Sequence, residues 1–125
     1  MNAESPGPLG LLHLGRGTFG EAIAALKSGH KVARSGWNGK GMFLLMNGGY
    51  SVPAEESRPD NHINAEFLKE RGVDKLEILP HIDMWTAQNN LCVGWLASQT
   101  DMLSEDWEVV DFDWEKWKEN LKKAE

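Results

Sequence analysis

The sequence predicts an α+β fold, a single domain in which one antiparallel β-sheet is packed by an N-terminal helix, with additional short helices and a C-terminal helix. Three observations carry that reading. "TFGEAIAALKSGH" has helical apolar spacing between a capping signal and a glycine stop. "KVARSGWNGKGMFLLM" and "LEILPHIDMWTAQNNLCVGWLAS" each set two strand-like runs around a turn. "DFDWEKWKENLKKAE" then returns to helical spacing.

Taken in order, Thr18 followed three residues later by Glu21 is a capping box, and Phe19, Ala22, Ile23 and Leu26 form one apolar face. Gly29 suits the left-handed residue that ends a helix, so a helix is predicted over 19–28. "KVARSGW" reads as a short strand, "NGKG" as a turn, and "MFLLM" as a strand apolar on both faces and therefore central in its sheet. Residues 47–62 are rich in glycine, proline and charge and read as a long loop holding a turn or two. A short helix over "NAEFLKERG" has Asn64 as its N-cap and Gly72 as its stop. A hairpin around "QNN" follows, and "WEVV" adds an edge strand. In the tail, Trp114, Trp117 and Leu121 fall on one helical face and the lysines gather where the helix dipole favours them. The boundaries drawn are a flexible leader over 1–17, a ligand-binding α+β domain over 18–110 and a C-terminal helix over 111–125.

Composition narrows the function. A chain of 125 residues buries a core without staples, and the single cysteine, Cys92, allows no internal disulfide and suits a reducing compartment. A formal net charge of -6 argues against a protein that grips long nucleic acid by its phosphates. No apolar run approaches the roughly 20 residues that span a bilayer, so no membrane partner is expected. The opening stretch lacks the basic and cleavage regions of a signal peptide. Six tryptophans serve equally as core filler or as stacking surfaces for flat ligands.

Three stretches can carry chemistry. In "RSGWNGKGM", Gly36, Gly39 and Gly41 let backbone N–H groups approach a ligand, Arg34 or Lys40 can neutralise a phosphate, and Trp37 can stack on a base, with Asn38 and Met42 beside them. The alternative is structural, with Asn38–Gly39 as a type I′ turn and Trp37 as core. In "PHIDM", His81 and Asp83 share one side of a strand and suit either an acid/base pair or structural hydrogen bonds; no third metal ligand is evident. In "WLASQTDMLSEDW", Ser98, Gln99, Thr100 and Asp101 form a polar cluster suited to reading hydroxyls or base edges, or to capping the turn that follows. Cys92, in an apolar strand, reads as inert packing. No catalytic residue, metal site or cofactor motif is expected.

The blocks "TFGEAIAALKSGHKVARSGWNGKGMFLLM", "ILPHIDMWTAQNN" and "GWLASQTDMLSEDWEVV" resemble, in that order, a small phage and bacterial family, the Thoeris anti-defence type one proteins. The resemblance implies a non-enzymatic sponge of the host bacterial cytoplasm. Such a sponge binds cyclic ADP-ribose isomers made by TIR-domain immune proteins and sequesters them uncleaved. It also implies a homodimer or higher homo-oligomer with pockets where subunits meet, and in some relatives a separate site for cyclic oligonucleotides. The ligand residues it implies are Arg34, Trp37, Asn38, Gly39, Lys40, Met42, His81, Asp83, Trp95, Ser98, Gln99 and Asp101. The chain departs from the family over 1–17, 47–74 and beyond 110, and by Trp85 where a lysine is more usual. Two other classes stay open: an enzyme hydrolysing a nucleotide signal with His81 and Asp83, and a phage accessory or structural protein.

Overall fold

Thr18 starts the first helix as its sequence implies. Its side chain accepts the Glu21 N–H at 3.2 Å while Glu21 Oε1 accepts the Thr18 N–H at 3.0 Å, closing a complete capping box at the head of α1, Phe19–Lys27. Those bonds to Thr18 hold the Glu21 carboxyl below its ordinary pKa, the backbone N–H contributing most. At the other end Gly29 takes φ +92°, so that Gly29 and His30 bond back to Leu26 and Ala25 and satisfy the last turn. The computed structural model describes residues 9–60, 62–111 and 114–123.

The chain divides into two units, one of Asn47–His81 and one of the segments on either side. In the larger, β1 (Val32–Arg34), β2 (Phe43–Asn47), β5 (His81–Trp85), β6 (Leu91–Cys92) and β7 (Trp107–Val109) form a five-stranded sheet in the order β6-β5-β2-β1-β7. β2 is central, as its run of apolar residues requires, and "WEVV" lies on the edge. β1 pairs antiparallel with both neighbours, Val32 facing Leu44 and Val109. One sheet face therefore presents Val32, Leu44 and Trp107, which pack with Ala22, Ala25 and Leu26 of α1 to make the core. Trp107 is fully buried, its ring 5.4 Å from that of Phe19. α3 (Gln99–Leu103) precedes β7, and α4 (Trp114–Lys123) follows it.

The smaller unit pairs β3 (Tyr50–Pro53) with β4 (Lys75–Ile78), Tyr50 facing Ile78 and Pro53 facing Lys75. Between them lie a 3-10 helix, Ala54–Glu56, and α2, Ala65–Glu70. Asn64 caps α2 by accepting the Phe67 N–H at 3.0 Å, and Gly72 ends it at φ +68°. Gly49 is required by two facts at once: its φ is +86°, and a Cβ there would meet the Ile78 carbonyl oxygen at 2.7 Å and the Pro80 nitrogen at 3.0 Å. Gly49→Ala is expected to destabilise this unit by about 1 to 3 kcal/mol. Faster amide exchange of Leu76 and Ile78 would register the loss, and exchange at the wild-type rate would exclude it.

Four expectations change. The β1–β2 connection is not a two-residue type I′ turn, which needs positive φ at both Asn38 and Gly39; among its residues Gly41 alone has it, and the loop runs from Ser35 to Met42. The loop expected over 47–62 contains a strand, β3. The first arm of the hairpin around "QNN" is broken at Leu79–Pro80 into β4 and β5, because proline brings no N–H to a ladder. Cys92, read as packed, is exposed on the edge strand β6.

The leader read over 1–17 is described from residue 9, and its first eight residues lie outside the described residues. Gly10–Leu14 is a 3-10 helix that buries Leu12 in the core, and Gly17 exchanges backbone bonds with Trp107. The packed chain thus begins before position 18. The shared face expected for Trp114, Trp117 and Leu121 depends on two indoles that lie outside the described side chains.

Candidate functional site

The residues of "RSGWNGKGM" leave the end of β1, loop outward and return at β2, and this loop walls a groove of about 360 Å³ in the larger unit. Arg34, Ser35, Trp37, Gly39, Lys40, Gly41 and Met42 line it, with Phe43 of β2, Ala33 of β1, and Glu108 and Val110 of the adjacent edge. The antiparallel register sets Ala33 opposite Glu108, and Ala33 is small enough to leave room beside Phe43. Phe43 is held by Trp85 of β5, stacked at 6.5 Å and 22°, and by the Lys31 ammonium 5.2 Å from its ring centroid. The groove therefore offers an aromatic floor, exposed Lys40 at its rim and the Glu108 carboxylate on one side.

Behind the groove lies a charged clamp. Arg34 Nη1 donates to Asp101 Oδ1 at 2.8 Å and Nε donates to Asp106 Oδ1 at 2.8 Å. The Gly36 N–H donates to Asp106 Oδ2 at 2.9 Å, so the loop backbone is tied to the same carboxylate. A Cβ on Gly36 would meet that oxygen at 2.6 Å, which explains the glycine. Asp101 Oδ1 also accepts the Trp37 indole N–H at 3.0 Å. The indole of Trp37 stands edge-on to Trp107 at 5.4 Å and to Trp95 at 6.3 Å.

The ionisation of the clamp follows from these contacts. Asp106 is held below the ordinary carboxylate range chiefly by Arg34, helped by the Gly36 N–H. Burial by itself would raise Asp101, but the bonds from Trp37, Arg34 and Ser98 outweigh it and leave its pKa lowered. Arg34 is raised, first by its bond to Asp106, and stays fully protonated.

Residues 17–110, which contain the groove and the clamp, match the family described as the Thoeris anti-defense 2-like domain. The chain is also 34% identical over 93 residues to "Thoeris anti-defense 2" of Bacillus phage SP01, a match covering 74% of this chain and 93% of that relative. The chain belongs to the Thoeris anti-defense 2-like family. Membership supports an anti-defence role. The Thoeris anti-defence assignment drawn from the three sequence blocks holds, with the matching family numbered two where the resemblance was read as type one.

Of the ligand residues expected from sequence, this Thoeris anti-defense 2-like domain brings Arg34, Trp37, Gly39, Lys40 and Met42 to one groove. Asn38 is exposed in the same loop. Ser98 and Asp101 form the capping box of α3, Ser98 Oγ accepting the Asp101 N–H at 3.0 Å, and Gln99 is the exposed first residue of that helix. Trp95 belongs to the indole cluster. Asp83 is fully buried and accepts the Gly94 N–H at 2.9 Å, which holds the chain after β6. His81, the first residue of β5, has Nδ1 2.8 Å from the Leu79 carbonyl oxygen.

Sequence reasoning missed Ala33, Ser35, Phe43, Glu108 and Val110 in the groove. Phe43 carried a usable signal, since a strand apolar on both faces has an aromatic to spare for the side away from α1. Glu108 carried none, because its place depends on the pairing of β1 with β7. Among the described residues no group of three His, Cys, Asp or Glu side chains stands close enough to hold a metal ion. No described helix is long and apolar enough to cross a membrane.

Proposed function

We propose that the protein counters TIR-based immunity in the infected bacterial cytoplasm by binding cyclic ADP-ribose isomers in this groove and holding them uncleaved. The observation that carries the reading is the groove itself. It combines an aromatic floor of Phe43 and Trp37, the bare backbone of Gly39 and Gly41, and Lys40 beside them, within the residues that match the family. A cyclic ADP-ribose isomer presents complementary chemistry: a purine to stack, a pyrophosphate to neutralise and ribose hydroxyls to donate to Glu108. Lys40 is the phosphate contact in this reading, because the Arg34 fork is taken up by Asp101 and Asp106. The relative from Bacillus phage SP01, named for the same anti-defence activity, supports the role.

Self-association belongs to the same proposal. The edge strand β6 and the chain after it expose Leu91, Val93 and Leu96 at 44%, 66% and 89%, an apolar edge of the kind that pairing with a second copy covers.

The test is to incubate the protein with a cyclic ADP-ribose isomer, remove free ligand, denature and identify what is released. Intact isomer is expected; a cleaved product would establish the hydrolase reading instead. Lys40→Ala is expected to weaken capture by about 10-fold or more while leaving the melting temperature unchanged, since an exposed charge-assisted contact to phosphate is worth about 1.5 to 3 kcal/mol. Calorimetric affinities equal in variant and wild type would remove Lys40 from the site. Sedimentation of the same samples reads the assembly, and a monomer with full affinity would refute the self-association part.

A further inference from the structure

Asp101 touches several of the groove's supports at once. Its carboxylate accepts from Arg34 Nη1 at 2.8 Å, from the Trp37 indole at 3.0 Å and from its own helix cap at Ser98 N at 3.3 Å. Its carbonyl oxygen accepts the indole N–H of the fully buried Trp107 at 3.0 Å. One residue thus joins the first turn of α3, the core tryptophan and two residues of the groove wall, although it does not itself line the groove.

Each of these bonds has a directional consequence. The Trp37 ring has two neighbours to lean on, Trp95 and Trp107, and edge contacts alone leave its rotation about χ2 loosely specified. The bond from its Nε1 to Asp101 selects one orientation. Arg34 is likewise fixed at both ends of its fork, so the chain leaving β1 enters the loop at a set angle, and the Gly36 N–H bond to Asp106 sets the next step. Two backbone bonds also tie the start of the loop, Ser35 N–H to the Asp106 carbonyl at 3.1 Å and Trp37 N–H to the Arg34 carbonyl at 3.2 Å, while Ser35, Gly36, Asn38, Lys40 and Gly41 are exposed.

From this arrangement we infer that Asp101 is the positioning residue of the site: it orders the Ser35–Met42 loop and the face of Trp37 before ligand arrives, so that capture does not have to supply that ordering. The inference rests on the ligand-binding reading of the groove. Ordering a loop and a large side chain in advance lowers the free-energy cost of binding.

The experiment uses Asp101→Asn, which keeps size and a cap oxygen and removes the charge, and Trp37→Phe, which keeps an aromatic ring against Trp95 and Trp107 and removes the indole donor together with part of the ring's volume. Amide hydrogen exchange of residues 36–42 and of α1, and affinity for a cyclic ADP-ribose isomer, are read in each. In Asp101→Asn, exchange in the loop is expected to quicken and capture to weaken, each by about 10-fold, equivalent to about 1.4 kcal/mol. The α1 amides keep their protection. Trp37→Phe is expected to show the same pattern at smaller amplitude, and it decides the matter if Asp101→Asn loses protection throughout. Unchanged loop exchange in both variants would overturn the inference. So would weaker capture with wild-type loop protection, which would make Asp101 a direct ligand contact. If the wild type retains no isomer, the ligand reading fails by itself, and loop exchange still decides whether Asp101 orders the groove.

Discussion

Replacing Trp107 by alanine is expected to lower stability by about 3 to 5 kcal/mol, the largest single loss in this chain. Trp107 is fully buried, meets Phe19, Trp37 and Trp95, and exchanges backbone bonds with Gly17. Removing the indole leaves a cavity among groups fixed by α1 on one side and the sheet on the other, so collapse cannot fill it. Trp107→Phe separates two parts of the effect. One aromatic ring survives with part of the indole's volume lost, and the part-buried Asp101 carbonyl loses the indole N–H at 3.0 Å, a bond worth about 1 kcal/mol. Urea denaturation should therefore rank wild type above Trp107→Phe and that above Trp107→Ala. A loss below about 1 kcal/mol in the alanine variant would show that the indole cluster is not the centre of the core.

Arg34→Ala is expected to produce the second largest loss, about 2 to 3 kcal/mol, below that of a wholly dry ion pair because Asp106 keeps 27% side-chain exposure. The substitution leaves two carboxylates close together without their shared cation. Arg34→Lys is expected to recover little, since one ammonium cannot reproduce bonds from Nη1 to Asp101 and from Nε to Asp106. The pH dependence identifies the cause. Both aspartates have folded-state pKa values lowered from the ordinary carboxylate value, so the stability they confer is present above their unfolded pKa, about 3.9. It is lost as pH falls through the lower folded values. The gap in melting temperature between wild type and Arg34→Ala should accordingly be constant from neutral pH down to about 5 and narrow below about 4. A gap independent of pH would assign the effect to packing of the arginine stem.

The clamp also explains why the opening stretch supported two readings. "RSGWNGKG" contains a cation, an indole and bare backbone, and sequence could not divide them between ligand and scaffold. The structure gives Arg34 to Asp101 and Asp106, gives the indole edge of Trp37 to Asp101, and leaves Lys40, Gly39 and Gly41 on the groove. The cluster of Ser98, Gln99, Thr100 and Asp101 was open in the same way, and the structure places Ser98 and Asp101 in the capping box of α3, with Asp101 also accepting from Arg34 and Trp37.

Local chemistry was enough for a set of features whose cause lies within a few residues. The capping box of Thr18 and Glu21, the Gly29 and Gly72 stops, the Asn64 cap and the central place of β2 all follow from bonds or burial specified inside one short segment. The features that escaped depend on partners far along the chain. β3 is a strand because β4 pairs with it, the Gly10–Leu14 turn is ordered because Leu12 reaches the core, and Glu108 enters the groove because β7 aligns with β1. Arg34 lies 67 residues from Asp101 and 72 from Asp106. A charged side chain in an acidic protein has many possible counterions, and only the closed sheet, which brings the end of β1 against the chain leading into β7, decides which of them it meets.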